Sequence, residues 1–115
     1  MRYKMQFARA ITKYIRISPR KARLAAGLIR GLGVEAATLQ LENSPLRGAR
    51  LLMKTLDSAV ANAETQLELQ KPQLKIHEVR VDEGPTMKRI KPKNRGGRVP
   101  ILKRTSHFTI VLKAE

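Results

Sequence analysis

The chain has 115 residues, the size of one domain with a modest core. Its 24 Lys and Arg against 9 Asp and Glu leave a formal charge of +15, which points to a polyanionic partner: nucleic acid first, an anionic membrane surface second. The absence of cysteine excludes disulfides and thiolate metal sites, and no apolar run has the length of a membrane span or a signal-peptide core.

Charge is unevenly placed. Nine basic residues and no acid lie between Met1 and Val34, whereas Glu35, Glu42, Asp57, Glu64, Glu68, Glu78, Asp82 and Glu83 fall in the middle. In residues 3–17, Met5, Phe7, Ile11, Ile15 and Ile17 occupy odd positions, which predicts a strand with that face buried. Ser18-Pro19 then predicts a helix start, with serine as N-cap and proline where its missing N–H costs nothing. The helix over 20–30 is expected to bury Leu24, Ala25, Leu28 and Ile29. Arg20, Lys21 and Arg23 crowd its first turn against the helix dipole, a placement suited to phosphate.

Gly31-Leu32-Gly33 matches G-x-G-x-x-A on through Ala36, but a helix precedes it where a dinucleotide fingerprint needs a strand. A helix C-cap and turn explain these glycines. Residues 34–42 suit a short helix with Val34, Ala37 and Leu41 on one side. A long helix follows over 46–67, its stripe running through Leu46, Ala49, Met53, Leu56, Val60, Ala63 and Leu67. Residues 70–73 read as a turn. The strand LKIHEVRV follows, its alternation slipping between Ile76 and Val79 in the manner of a bulge. Phe108, Ile110 and Leu112 alternate as a returning strand.

Between those strands, residues 83–107 carry eight positive charges, three prolines, three glycines and few apolar side chains. Such a segment cannot bury a core of its own. Flanked by strands, it reads as the outer part of a long β-hairpin, reaching on the order of 35 Å from the body at about 3.3 Å per residue. The expected architecture is α+β. A three-stranded antiparallel sheet carries three helices on one face, and a long basic hairpin protrudes from a single domain spanning 1–115.

A catalytic set is not apparent. Asp82 and Glu83 are neighbours that a strand turns to opposite faces. His77 and His107 are too few for a metal, though they could meet across the hairpin, and Ser106-His107 lacks the oriented base of a nucleophile. The expectation is a non-enzyme without metal or cofactor. The four aromatics, Tyr3, Phe7, Tyr14 and Phe108, are too few for a base-stacking sheet, and Phe7 and Phe108 read as core. Binding by shape and phosphate remains, with folded RNA ahead of the alternative, a DNA-architectural basic protein.

The segments VDEGPTMKRIKP (81–92), ILKRTSHFTIVL (101–112), ISPRKARLAAGLIRG (17–31) and LDSAVANAE (56–64) strongly resemble the bacterial-type family of large-subunit ribosomal protein twenty-two. The likeness runs over about 7–112 and departs from the family at the tip, where this chain reads KNRGGRVP over 93–100. The resemblance implies a structural constituent of the large subunit that binds 23S-type rRNA and bridges its domains during assembly. Its hairpin would line the nascent-peptide exit tunnel. The implied RNA-binding residues are Arg16, Ser18, Arg20, Lys21, Arg23, Lys88, Arg89, Lys91, Lys93, Arg95, Arg98, Lys103, Arg104, Thr105, Ser106 and His107. The implied tunnel-lining residues are Met87, Lys88, Arg89, Lys93 and Arg95. Large-subunit rRNA, neighbouring ribosomal proteins and the nascent peptide would be partners, with neither a membrane nor a second copy of the chain among them. The implied place is a cytoplasmic or organellar ribosome.

Overall fold

The computed structural model describes residues 7–92 and 98–114. In chain order the elements are β1 (Phe7–Ile15), α1 (Pro19–Ile29), α2 (Val34–Glu42), α3 (Arg47–Gln66), a 3-10 turn (Lys71–Gln73), β2 (Leu74–Glu83), β3 (Met87–Pro92), β4 (Arg98–Lys103) and β5 (Ser106–Ala114). The sheet order is β1-β5-β2, antiparallel throughout, and the helices cover one face. This is the α+β arrangement expected from the sequence.

The central strand β5 supplies the middle of the core. Phe108, Ile110 and Leu112 are fully buried, and Leu74, Ile76, Val79 and Val81 of β2 continue the layer. Against them lies α3, burying Ala49, Leu56, Val60 and Ala63 of the expected stripe, with Met53 and Leu67 half-buried and Leu46, at the N-cap, exposed. Leu52, Thr55 and Ala59 are buried as well, because α3 packs on α1, α2, β1 and β5 together. A face wider than a single stripe belongs to a helix enclosed on several sides.

One predicted face is reversed and a second is turned. On β1 the inward residues are Ala8 and Ala10, whereas Phe7 and Ile11 lie outside. The reason is how near α3 comes to this edge strand. Asn62 Nδ2 donates to the Arg9 carbonyl at 2.9 Å, a spacing that leaves room inside for small side chains only. A bulge then sets Lys13 and Tyr14 opposite His107, with Tyr14 at φ 59°, and Ile17 beyond it is buried. Met5, expected on the buried face, lies outside the described residues.

On α1, Ala25 and Ile29 are buried as expected, but Ala22 and Ala26 join them while Leu24 and Leu28 face outward. Here α1 crosses α3 at Gly48. A Cβ on that glycine would lie 3.3 Å from both Ala25 Cβ and Ile17 Cδ1, so the crossing admits only small residues. Leucine on the outer side of α1 is the consequence.

The loop between α1 and α2 is a turn, as read from its glycines. Gly31 takes φ 78° and Ile76 N–H donates to the Leu32 carbonyl at 2.9 Å, tying the loop to β2.

β2 and β5 run on into β3 and β4. The pair Glu83–Ser106 is followed by Met87–Lys103, so three residues on the outgoing side (84–86) oppose two on the return (104–105). At this joint Gly84 N–H donates to the Thr105 carbonyl at 3.0 Å, and the Thr105 hydroxyl donates to the Pro85 carbonyl at 2.6 Å. β3 and β4 pair from Met87–Lys103 out to Pro92–Arg98 as a separate two-stranded ribbon. The molecule measures 72 × 28 × 19 Å, and its radius of gyration of 17.5 Å exceeds the ~13 Å of a compact domain of about this size.

Candidate nucleic-acid interface

The foot of the ribbon meets the start of α1. β1 ends at the half-buried Ile15, Ile17 beyond it is buried, and Ser18 caps α1 by accepting from Lys21 N–H at 3.4 Å. Pro19 occupies the first turn, as read from the sequence. The following basic residues, Arg20, Lys21 and Arg23, all remain exposed on this turn. From the other end of the chain, Lys103 and Arg104 arrive beside them.

The result is a cleft of about 700 Å³ whose wall includes Arg16, Ser18, Lys21, Arg47, Lys103 and Arg104. A smaller recess of about 420 Å³ adjoins it, lined by Ser18, Pro19, Arg20, Arg23, Glu83 and Arg104. Among the described residues, seven basic side chains thus converge on the two hollows, with Glu83 the single carboxylate on their walls. Cations held this close together without matching carboxylates are stabilised by an anionic ligand, and phosphate suits the mixture of arginine forks, lysine points and helix N–H groups.

Two segments singled out in the sequence, 16–23 and 103–104, are therefore brought to one site by folding. Sequence reasoning misses Arg47, Leu46 and Gly48 at the start of α3, Ile17 and Leu24 at α1, and Leu102 on β4. A signal for Arg47 exists, because α3 like α1 has no acid in its first turn. The three leucines give the cleft an apolar floor between cations, a surface that suits sugar and base edges as well as phosphates.

Three side chains in the predicted set also take part in holding the fold. The Ser106 hydroxyl is fully buried and donates to the Ile17 carbonyl at 2.7 Å. Thr105 is buried and committed to Pro85. Both hydroxyls are buried and pair backbone carbonyls at the ribbon's foot. Arg23 is divided: Nη2 donates to the Val81 carbonyl at 3.1 Å, fastening α1 to β2, while the residue stays exposed beside the smaller recess.

His107 does not meet His77. It pairs with Asp82 across the ladder, accepts the Tyr14 N–H at Nδ1 at 3.1 Å, and sets its ring edge-on to Tyr14. His77 sits in the bulge between Ile76 and Glu78, the slip read from the alternation, and packs on Phe7. His107 pairs with Asp82, five residues along β2 from His77, so the ladder register itself keeps the two histidines apart. Phe108 is core as expected, but Phe7 is 43 % exposed.

On the ribbon, Met87 and Lys88 are exposed on the outgoing strand. Lys93 and Arg95, and the side chains of Arg89, Lys91 and Arg98, lie outside what the structure describes. Among the described residues, no helix is long and apolar enough to cross a membrane.

A sequence model of the family described as Ribosomal protein L22p/L17e matches residues 10–113. The chain is 72 % identical over 108 residues to the large ribosomal subunit protein uL22 of Protochlamydia amoebophila (strain UWE25), a match spanning 94 % of this chain and 97 % of that protein. It is 58 % identical over 104 residues to the protein of the same name from Chlamydia felis (strain Fe/C-56), over 90 % of this chain and 94 % of that one. With the Chlamydia pneumoniae protein of that name, identity is 56 % over the same shares.

Proposed function

The chain belongs to the ribosomal protein L22p/L17e family, and on that premise we propose that it is a structural, RNA-binding component of the large ribosomal subunit. Its work is cohesion rather than catalysis. Neutralising phosphate charge lets RNA helices approach one another, and a rigid body with a projecting ribbon fixes their relative positions. Large-subunit rRNA and neighbouring ribosomal proteins are the partners this reading supplies.

One observation carries the reading: Arg16, Lys21, Arg47, Lys103 and Arg104, drawn from three distant parts of the chain, face a single cleft at the foot of the ribbon. RNA seated there touches body and ribbon at once, so ribbon direction and RNA position are coupled. Lys88, Arg89, Lys91, Lys93, Arg95 and Arg98 then carry the contact outward along the ribbon and its tip. In this reading Met87, Lys88, Arg89, Lys93 and Arg95 face the path of the nascent peptide, and the ribbon bridges rRNA domains during assembly.

A salt series of binding to large-subunit rRNA, beside duplex DNA of matched length, tests the core of this. Affinity falls with salt on either polymer as counterions are released. A preference for the rRNA that survives at high salt supports recognition of its folded shape. Equal affinities collapsing together reduce the chain to a general polycation and favour a DNA-architectural role.

A further inference from the structure

The face of the sheet opposite the helices carries large rings. Phe7 and Tyr14 of β1 are 43 % and 64 % exposed, and Ile11 between them is 48 % exposed. Each ring has an imidazole beside it. Phe7 and His77 lie with centroids 5.0 Å apart at 48°, and Tyr14 and His107 lie 5.1 Å apart at 89°. The second pair is built by the backbone. Tyr14 holds φ 59°, a region a bulky residue rarely enters, and its N–H is spent on His107 Nδ1. The first pair is built by the other bulge, which frees His77 from the ladder. Two pads therefore stand at opposite ends of one face, about 20 Å apart at roughly 3.3 Å per residue.

The charge on this face is cationic. Phe7, Lys113 and Lys75 form one row across the three strands, and Arg9 lies in the next. The carboxylates of Glu78 and Asp82 are both within ion-pair distance of Arg80, at 3.6 and 3.3 Å. Flat rings among cations match nucleobases and phosphates, and stacking requires bases whose faces are not already covered by neighbours in a duplex. A protein partner would be better served by a continuous apolar patch, which Arg9 and the lysines interrupt.

We propose that this open sheet face is a second RNA contact, in which the Phe7–His77 and Tyr14–His107 pads stack unpaired bases of a single-stranded segment. The inference rests on the reading of the chain as an rRNA binder, but it concerns the sheet face that the helices leave uncovered rather than the lining of the cationic cleft. It gives the chain two different modes of contact: phosphate and shape at the cleft, base stacking on the sheet.

The test uses the full chain with an oligouridine and with an RNA duplex of matched length. In the unaltered chain, ring resonances of Phe7, Tyr14, His77 and His107 should shift on adding oligouridine and stay in place on adding duplex. Phe7→Leu with Tyr14→Asn removes both aromatic rings, and asparagine tolerates the positive φ at 14. That variant should lose about tenfold or more in oligouridine affinity, with duplex affinity within about twofold of the parent. Lys21→Ala with Lys103→Ala, a cleft variant, should weaken binding to both. Unmoved rings and unchanged oligouridine affinity in the ring variant overturn the proposal. If the cleft variant still loses affinity, the rRNA reading survives that result; if it too binds as the parent does, both readings fall. Stable capture of another ribosomal protein on this face, with oligouridine ignored, also overturns it.

Discussion

The hydroxyl oxygens of Thr12 and Thr55 lie 2.9 Å apart, joining the edge strand β1 to the middle of α3. Thr55 is fully buried and Thr12 only partly so, which makes the two ends of this bond unequal. Thr12→Val leaves a buried hydroxyl without its partner and should cost about 1–3 kcal/mol, whereas Thr55→Val leaves a hydroxyl that water can reach and should cost about 0.5–1.5 kcal/mol. The double substitution should be milder than the two losses added together. Urea unfolding of the four proteins measures the cycle. Equal single losses that simply add would show that this bond does not hold β1.

The foot of the ribbon depends on an absent side chain. A Cβ on Gly84 would collide with Thr105 Oγ1 and crowd the His107 ring. Gly84→Ala should therefore lower stability by about 1–3 kcal/mol, as overpacking commonly does. Adding Thr105→Ala makes room and should recover part of the loss, although Thr105→Ala alone also removes the bond to Pro85. Thermal unfolding of the single and double variants decides. A double variant less stable than Gly84→Ala alone would place the strain elsewhere.

At the cleft, Lys21→Ala, Arg47→Ala and Lys103→Ala combined should flatten the dependence of log affinity on log salt by roughly 2–3, at about 0.7–0.9 for each phosphate no longer neutralised. Each substituted side chain is exposed or half-exposed, so the melting temperature should hardly move. Filter binding to large-subunit rRNA over a salt range gives the slope. An unchanged slope would remove the cleft from the interface.

Ser106 and Lys103, three positions apart, should separate folding from binding. Ser106→Ala abolishes the bond to the Ile17 carbonyl and should destabilise by about 1–3 kcal/mol, with the salt slope of the folded fraction unchanged. Lys103→Ala should do the reverse. A change of slope in Ser106→Ala, measured where the variant is fully folded, would return that hydroxyl to the RNA contact.

Much of the fold is legible in the sequence where one force dominates. The α3 stripe, the alternation of Phe108, Ile110 and Leu112, and the Ser18-Pro19 start each follow from local periodicity or local hydrogen bonding. The reversed face of β1 and the turned face of α1 share a cause. In both, apolar character alone sends bulky residues inward, but α3 comes close enough to favour Ala8 and Ala10 on one side and, around Gly48, Ala22 and Ala25 on the other. Closeness of approach is a tertiary quantity, and no pattern within β1 or α1 reports it. The cleft is half legible. Its cations can be named from the sequence, but not that Arg47 joins Arg16 and Lys103, since that depends on where α3 begins relative to the ribbon.

The position of β5 has a temporal meaning. β1 and β2 do not pair with each other; each is joined to the sheet only through β5. A ribosome makes a chain from its N-terminus at about 5–20 residues per second, so β1, the helices, β2 and the whole ribbon exist before the strand that unites them. Until residues 106–114 emerge the three-stranded sheet cannot form. The same strand buries Phe108, Ile110 and Leu112 and supplies Ser106 to Ile17, so closure of the body and fixing of the ribbon's foot are a single event, delayed until the C-terminal strand is available.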